Sequence, residues 1–325
     1  MRRPGPAAAL CFGAALIAVL PVLLPNEYYL TVLIVAGLNG MIALGLNLLM
    51  GYAGQISLGH AAFYGMAAYA TGILTATYHW PVPLGMAAGV ALVLAVAALI
   101  AVPTLRLKGH YLAMGTLGFG LIVYIVLNEA TALTGGPSGL GGIPRLSVFG
   151  RPLSADLAYF YVVWAAVLLC FGMAGNLVRS RLGRALRAIH TSETAAAALG
   201  IDTERTKIGV FILSAGTAAI AGVLNAHYVR FVSPGTFGFT ASVQFVTMVV
   251  LGGMGSLWGG LAGAVVLTVL PEALRALEDY DILVYGLLLI LCMMYLPGGL
   301  VEGVDRLGRH VSAARLRLAR RKDPA

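Results

Sequence analysis

This chain of 325 residues is 59% hydrophobic and only 10% charged, whereas about a quarter of the residues in soluble domains carry a charge. So few charges cannot cover so much apolar surface in water, which excludes a soluble globular fold. The net charge of +8 does not indicate nucleic-acid binding, because the Lys and Arg residues cluster between apolar segments and at the C-terminus, as the positive-inside rule describes.

Ten apolar segments predict an all-α, polytopic membrane protein in which glycine breaks some of the transmembrane helices. The first follows Arg2 and Arg3 and runs from Ala7 to Leu24. It is interpreted as a retained helix, because no clear signal-peptide cleavage site precedes Asn26. The other nine are Leu30–Met50, His60–Thr77, Pro83–Val102, Tyr111–Leu127, Leu157–Val178, Ile208–Tyr228, Phe237–Leu251, Leu257–Leu270 and Ile282–Leu296. The last three are short and contain Gly or Pro, so the boundaries between residues 237 and 270 stay open.

The distribution of positive charge predicts the topology of these ten spans. With the N-terminus in the cytoplasm, all of the 21 Lys and Arg residues lie on the cytoplasmic side except Arg145, Arg151, Arg230 and Arg275. Removing one span would invert the later loops and destroy this bias, so both termini are predicted to be cytoplasmic. Residues 1–303 are predicted to form one transmembrane domain, and residues 304–325 a basic cytoplasmic tail on anionic lipid.

Motifs for nucleotide binding and catalysis are missing from the sequence. No GxxxxGK[ST], HExxH or GxSxG pattern occurs, and the three cysteines lack metal-ligand spacing. The apolar segments contain no Asp, Glu, Lys or Arg, and the ionisable side chain beside a glycine-rich break is His60, although ion-coupled carriers normally need such groups or unwound carbonyls. We therefore predict a transport chain without catalytic residues, metal or cofactor, which takes its energy from another protein. The alternatives are a stand-alone channel or secondary carrier, a membrane enzyme with His60 as base, and a structural subunit.

Two glycine-rich breaks interrupt the apolar pattern. The first, GYAGQISLGH at residues 51–60, has three glycines in nine residues, and the second is GGMGSLWGG at residues 252–260. Irregular backbone at membrane depth is tolerated inside protein or against a watery cavity. Polar side chains beside the breaks are therefore candidates for the lining of a solute pathway, and they are Gln55, Ser57, His60 and Gln244. Close helix packing through small residues is the alternative interpretation.

Two long connections carry further signals. The external loop 128–156 is rich in turn residues, including TGGPSG and GGIP, and is either a flexible connector or a shaped surface that docks a partner or lines the entrance. The internal loop Arg179–Lys207 predicts two short helices, Gly183–His190 and Glu193–Leu199. Ser192 is expected to cap the second helix and Gly200 to end it.

Several of these motifs together resemble one family of membrane permeases. Glu193-Thr194-Ala195-Ala196, followed by Gly200, resembles the EAA loop of ABC importer permeases, although Thr194 separates the glutamate from the alanines. With GYAGQISLGH, with TGGP at residues 134–137 and with YLAMGTLGFG at residues 111–120, the chain resembles the LivM branch of the LivH/LivM permeases. The resemblance runs in order from about residue 39 to residue 300 and so covers most of the chain.

This resemblance implies a permease subunit of an ATP-binding cassette importer that moves leucine, isoleucine and valine across the bacterial inner membrane. The implied partners are two ATPase subunits, which hold the ATP and magnesium, a LivH-type second permease and a periplasmic binding protein. Carried over by position, the residues implied to contact the ATPase are Glu193, Ala195, Ala196 and Gly200. Related permeases carry urea, short amides or other amino acids, so the solute stays open, as does the choice between a homodimer and a heterodimer.

Overall fold

The structure is a computed structural model that describes residues 27–105, 107, 109–148, 151–152, 155–274, 281–295 and 298–303, with isolated positions before residue 27. These residues are almost entirely helical. The helices are α1 (Glu27–Asn47), α2 (His60–Gly72), α3 (Val82–Thr104), α4 (His110–Glu129), α5 (Thr131–Thr134), α6 (Asp156–Arg179), α7 (Arg181–Thr191), α8 (Glu193–Ala198), α9 (Thr203–Val229), α10 (Phe239–Gly252), α11 (Leu257–Leu274) and α12 (Asp281–Tyr295). Two short strands, β1 (Ser147–Val148) and β2 (Arg151–Pro152), form an antiparallel hairpin before α6.

Seven helices of the described residues are long and apolar enough to cross a membrane. They are α3, α4, α6, α9 and α11, together with α1 extended by a π-helical turn to Tyr52 and α10 extended back to Pro234. The predicted all-α membrane class is therefore confirmed, whereas the count of about ten spans is not.

The three remaining predicted spans differ from these seven in separate ways. Residues 60–77 are helical throughout, as α2 and a π-helical turn at Ile73–Thr77, but they do not reach the apolarity of a span. The span predicted at residues 282–296 is the helix α12, which has 15 residues. The first predicted span, residues 7–24, and the basic tail at residues 304–325 lie outside the described residues, apart from isolated positions in the former.

The helices α1 and α9 lie at the centre of the bundle. The helix α1 packs against α6, α9 and α11, and α9 also packs against α2 and α3. In the most apolar 18 residues of α1, 78% of the residues are buried, whereas the corresponding share in α4 is only 22%. The exposed side of α4 carries large apolar residues such as Met114 and Ile122, so this helix presents its apolar surface to lipid or to another membrane subunit.

Close contact between α2 and α9 depends on a glycine. A Cβ atom on Gly222 of α9 would overlap the main-chain oxygen of Tyr64 and lie 3.1 Å from the Cβ atom of Ala67, both in α2. Apolar side chains gain little by leaving lipid for protein, so helices in membranes associate mainly through such tight packing. Gly222 therefore sets the distance between these two helices.

The connection between α4 and α6 is held in place rather than left as an unconstrained connector. Leu140 and Val232 exchange main-chain hydrogen bonds of 2.8 and 3.0 Å. At the end of α9, His227 Nδ1 donates to the oxygen of Pro144 at 2.8 Å and Arg230 Nε donates to the oxygen of Ile143 at 3.2 Å. These contacts fasten residues 140–144 to the C-terminal end of α9.

The packing of α2 on α9 yields a stability prediction. Gly222→Ala forces the two helices apart, and overpacking of this kind costs about 1–3 kcal/mol. The matched control is Gly209→Ala in the same helix, where an added Cβ meets no atom within 4 Å and alanine favours the helix by up to about 1 kcal/mol. Thermal unfolding of the purified proteins in detergent is expected to show a lower Tm for Gly222→Ala only. Equal Tm values for the two variants would contradict the proposed packing role.

Candidate functional site

The loop Arg179–Lys207 folds as the helix pair that the sequence predicts. Ser180 caps α7, and Ser192 caps α8 by accepting a hydrogen bond from the N–H of Ala195 at 3.3 Å. Gly200 follows α8 with φ of +80°, a left-handed conformation that favours glycine at the end of a helix. The two predicted caps of the second helix are therefore confirmed, and the first helix starts two residues earlier than expected.

The outer face of α8 is apolar and exposed. Ala195, Ala197 and Leu199 are exposed, with Leu199 at 81% of its full accessibility, whereas Ala196 is buried against the rest of the chain. Apolar residues exposed next to one another in an otherwise polar loop are a candidate contact surface for another protein. The loop thus presents a small apolar surface from residues 195 to 199.

Glu193, in contrast, points into the chain. Its carboxylate accepts a hydrogen bond from Lys207 Nζ at 2.7 Å, and Nζ also lies 3.4 Å from the oxygen of Leu105. The side chain of Lys207 is 6% exposed and that of Glu193 is 33% exposed. This partly buried ion pair joins α8, the start of α9 and the end of α3.

A small polar pocket lies beside this ion pair. It has a volume of about 140 Å³ and is lined by Gln55, His190, Glu193 and Lys207 among others. The side chain of Gln55 is 7% exposed, and its Oε1 atom has no hydrogen-bond partner among the described residues. The structure therefore places Gln55, a predicted pathway residue, next to Glu193 of the predicted coupling loop.

The two glycine-rich breaks meet each other at Asn47. The Oδ1 atom of this buried side chain accepts a hydrogen bond from the N–H of Gly255 at 3.0 Å, and its Nδ2 atom donates to the oxygen of Ser256 at 2.5 Å. Gly51 lies so close to Gly255 that a Cβ atom on it would overlap the main chain there. One amide side chain thus pairs the N–H of Gly255 and adds a hydrogen bond to the oxygen of Ser256 in the second break.

A buried chain of hydrogen bonds connects the first break to α9. The atoms Ser57 Oγ and His60 Nδ1 lie 3.1 Å apart, and His60 Nε2 and Ser214 Oγ lie 2.6 Å apart. All three residues are at most 1% exposed. Both ring nitrogens of His60 therefore have partners inside the protein, and the imidazole holds α2 against α9.

A larger cavity opens between α2, α4 and the segment that leads into α10. Its volume is about 500 Å³, within the range of about 300–1,000 Å³ that is typical of ligand pockets. Most of its lining is apolar, with three polar side chains, and the residues include Leu58, Ala62, Tyr124, Phe237, Thr240 and Ser242. The cavity is suited to a small molecule with an aliphatic part.

The four predicted pathway residues do not gather in one place. Ser57 and His60 lie behind the cavity wall that Leu58 forms, Gln55 lines the smaller pocket, and Gln244 is exposed on α10. Sequence reasoning did not single out Asn47, Ser214 or the role of Lys207. Asn47 lies four residues before the glycine-rich break that begins at Gly51, and that position is the signal from which it could have been found.

The chain is similar to known transport permeases over most of its length. Residues 28–293, from α1 into α12, match the family described as branched-chain amino acid transport system / permease component. The chain is 35% identical over 286 residues to the high-affinity branched-chain amino acid transport system permease protein LivM of Escherichia coli K12, covering 80% of this chain and 67% of that protein. It is 30% identical to BraD of Pseudomonas aeruginosa, covering 86% and 97%, and 27% identical to LivH of Escherichia coli K12, covering 80% and 90%.

The buried hydrogen-bond chain yields a second stability prediction. Ser214→Ala leaves His60 Nε2 without its partner, and an unsatisfied buried polar group costs about 1–3 kcal/mol. We expect a lower Tm in detergent than for wild type. The control is Ser138→Ala at an exposed position, where the same change is expected to alter stability by less than about 0.5 kcal/mol. A wild-type Tm for Ser214→Ala would refute the structural role given to this contact.

Proposed function

This chain belongs to the family of branched-chain amino acid transport permeases, and we propose that it is the transmembrane permease subunit of an ATP-binding cassette importer for leucine, isoleucine and valine. The observation that carries this proposal is the extent of the family match, which includes both the 500 Å³ cavity and the Arg179–Lys207 loop. The chain would then conduct the solute, while ATP hydrolysis takes place on other subunits.

The surfaces of the chain suit the partners that such an importer requires. The apolar surface at residues 195–199, with Leu199 exposed, suits an ATPase subunit that holds ATP and magnesium. Ala195 and Gly200 lie exposed on this side of the loop, and Ala196 packs beneath it. The exposed apolar side of α4 suits a LivH-type second permease within the bilayer, and the loop fastened to the end of α9 suits a periplasmic binding protein.

The location that follows is the bacterial inner membrane, with both termini in the cytoplasm. In this topology the Arg179–Lys207 loop and the junction at Asn47 lie on the cytoplasmic side, and the loop that follows α4 lies outside. Polybasic segments favour the cytoplasmic face of a membrane, and the basic residues of the loop include Arg181, Arg184 and Arg187.

We propose that the cavity holds the aliphatic side chain of the amino acid during alternating access. Its apolar lining favours leucine over urea or a short amide, because burying an amide without partners costs free energy. ATP-driven closure of the ATPase subunits moves the Arg179–Lys207 loop, and the packed helices around the cavity follow as rigid bodies. Gln55 and Gln244 remain the candidates for polar contacts along the path.

Reconstituted transport tests this function directly. The chain is placed in proteoliposomes with the second permease, the two ATPases and the binding protein, and uptake of radiolabelled leucine is measured with and without ATP. We expect ATP-dependent uptake, and uptake by the chain alone would instead identify a stand-alone carrier.

Gly235→Leu fills the cavity, since Gly235 lines it and an added Cβ meets no atom within 4 Å. It is expected to lower leucine uptake about tenfold, because the added side chain takes space that the solute would fill, and overpacking costs about 1–3 kcal/mol.

The matched control is Gly209→Leu in α9, which also has open space around its Cβ position, is exposed and does not line the cavity. Uptake by this variant is expected to stay within about twofold of wild type, since surface substitutions have small effects. Equal uptake by both variants would show that the cavity is not part of the solute pathway. The importer assignment would then depend on the wild-type uptake measurement alone.

Cysteine labelling tests the topology. In a background without the three native cysteines, Ala195→Cys and Ser138→Cys introduce thiols at exposed positions in the two loops. A membrane-impermeant maleimide added to intact spheroplasts is expected to label Ser138→Cys and to leave Ala195→Cys unlabelled until the membrane is opened. Labelling of Ala195→Cys from outside would overturn the assignment of the ATPase contact.

A further inference from the structure

The residues in and next to α8 that resemble the EAA motif fall into two groups, one exposed and one in contact with the rest of the chain. Ala195, Ala197 and Leu199 are exposed, whereas the carboxylate of Glu193 is directed at Lys207 Nζ, 2.7 Å away. A glutamate that grips another protein would be expected among the exposed residues. Here the surface left for a partner is apolar, and the glutamate faces the interior of its own chain.

The Glu193–Lys207 ion pair differs from an ordinary surface pair. The Lys207 side chain is 6% exposed, and its ammonium also lies 3.4 Å from the main-chain oxygen of Leu105. A second pair in the same loop, Arg205–Asp202, has side chains that are 89% and 54% exposed, and water screens such contacts strongly. Removing one partner of a buried pair leaves an uncompensated charge, so the loss of Glu193 is expected to cost more free energy than the loss of the exposed pair.

A continuous set of contacts leads from this pair to the wall of the large cavity. Ser214 lies about two turns further along α9 and meets His60 at 2.6 Å, and His60 meets Ser57 at 3.1 Å. The next residue, Leu58, lines the cavity, and its N–H donates to Thr116 Oγ1 of α4 at 3.0 Å. A shift of α9 along its axis would therefore reach the cavity wall through Ser214, His60 and the irregular segment that holds Ser57 and Leu58.

From these contacts we infer that Glu193 is a positioning residue that acts within the chain. It ties α8 to the first turns of α9 through Lys207, so that a movement of α8 becomes a movement of the cavity wall. This inference rests on the proposed function, because it concerns how force on the Arg179–Lys207 loop reaches the pathway. It assigns the docking surface to Ala195, Ala197 and Leu199, and the transmission of movement to Glu193 and Lys207.

Charge exchange within the complete reconstituted importer tests the inference. The variants are Glu193→Lys, Lys207→Glu, the reversed pair with both changes, and a neutral pair with Glu193→Gln and Lys207→Gln. Arg205→Gln is the control, because it removes the exposed pair and keeps Asp202 as the cap of α9. The measured quantity is leucine taken up per ATP hydrolysed, with assembly of the complex followed by size-exclusion chromatography.

We expect both single variants and the neutral pair to hydrolyse ATP while leucine uptake per ATP falls about tenfold, the size of a typical coupling between sites. The reversed pair restores the attraction between positions 193 and 207 but not the contact with the oxygen of Leu105, so its uptake per ATP should rise to about threefold or more above either single variant, and Arg205→Gln should match wild type. A reversed pair with no more uptake per ATP than either single variant overturns the inference and points to a contact between Glu193 and the ATPase. A neutral pair that takes up as much leucine per ATP as wild type also overturns the inference. A neutral pair that fails to assemble overturns it as well, because the contact would then serve folding alone.

The wild-type complex separates this inference from the proposed function. If it takes up no leucine with ATP present, the importer assignment fails. If it transports leucine and the reversed pair does not recover, only the role of Glu193 within the chain fails.

Discussion

The structure depends on one constraint: a chain in lipid has to satisfy its own main-chain polar groups wherever a helix is interrupted. The break at residues 253–256 meets this constraint through Asn47, which bonds to Gly255 and Ser256, and in the break at residues 54–59 the N–H of Leu58 donates to Thr116 Oγ1. Polar residues that accompany the first break, such as Ser57 and Gln55, are consequently buried rather than facing water. Irregular backbone, buried polar side chains and the Arg179–Lys207 loop thus concentrate at one end of the bundle.

Local chemistry made much of this fold predictable from the sequence. Runs of apolar residues located the long helices within a few residues, because the thickness of the hydrocarbon region sets their length. Ser192 and Gly200 located the ends of α8, since a hydroxyl that accepts a main-chain N–H and a residue that tolerates positive φ are local requirements. The resemblance carried by GYAGQISLGH and by the Glu193 motif identified the family that the match over residues 28–293 confirms.

Contacts between distant parts of the chain were not predictable in the same way. Hydropathy does not distinguish α1 from α4, although one is central and the other peripheral, because lipid and protein interior are equally apolar. Nothing near His60 in the sequence indicates that its partner is Ser214, and the direction in which Glu193 points depends on Lys207 in the next helix. The four residues predicted to line the pathway accordingly lie in three separate surroundings. They were grouped because they stand near glycines in the sequence, but the face of the helix on which a side chain lies decides which other side chains it meets.

The position of α9 has a consequence for communication across the bilayer. This helix has 27 residues and is therefore about 40 Å long, enough to traverse the hydrocarbon region and both headgroup layers. Lys207 stands in its opening turns and His227, bonded to Pro144, in its closing one. The helix α9 therefore makes side-chain contacts with other segments near both of its ends. Because these two contacts lie near opposite ends of one helix, a movement of α9 along its axis would displace the Arg179–Lys207 loop and residues 140–144 together.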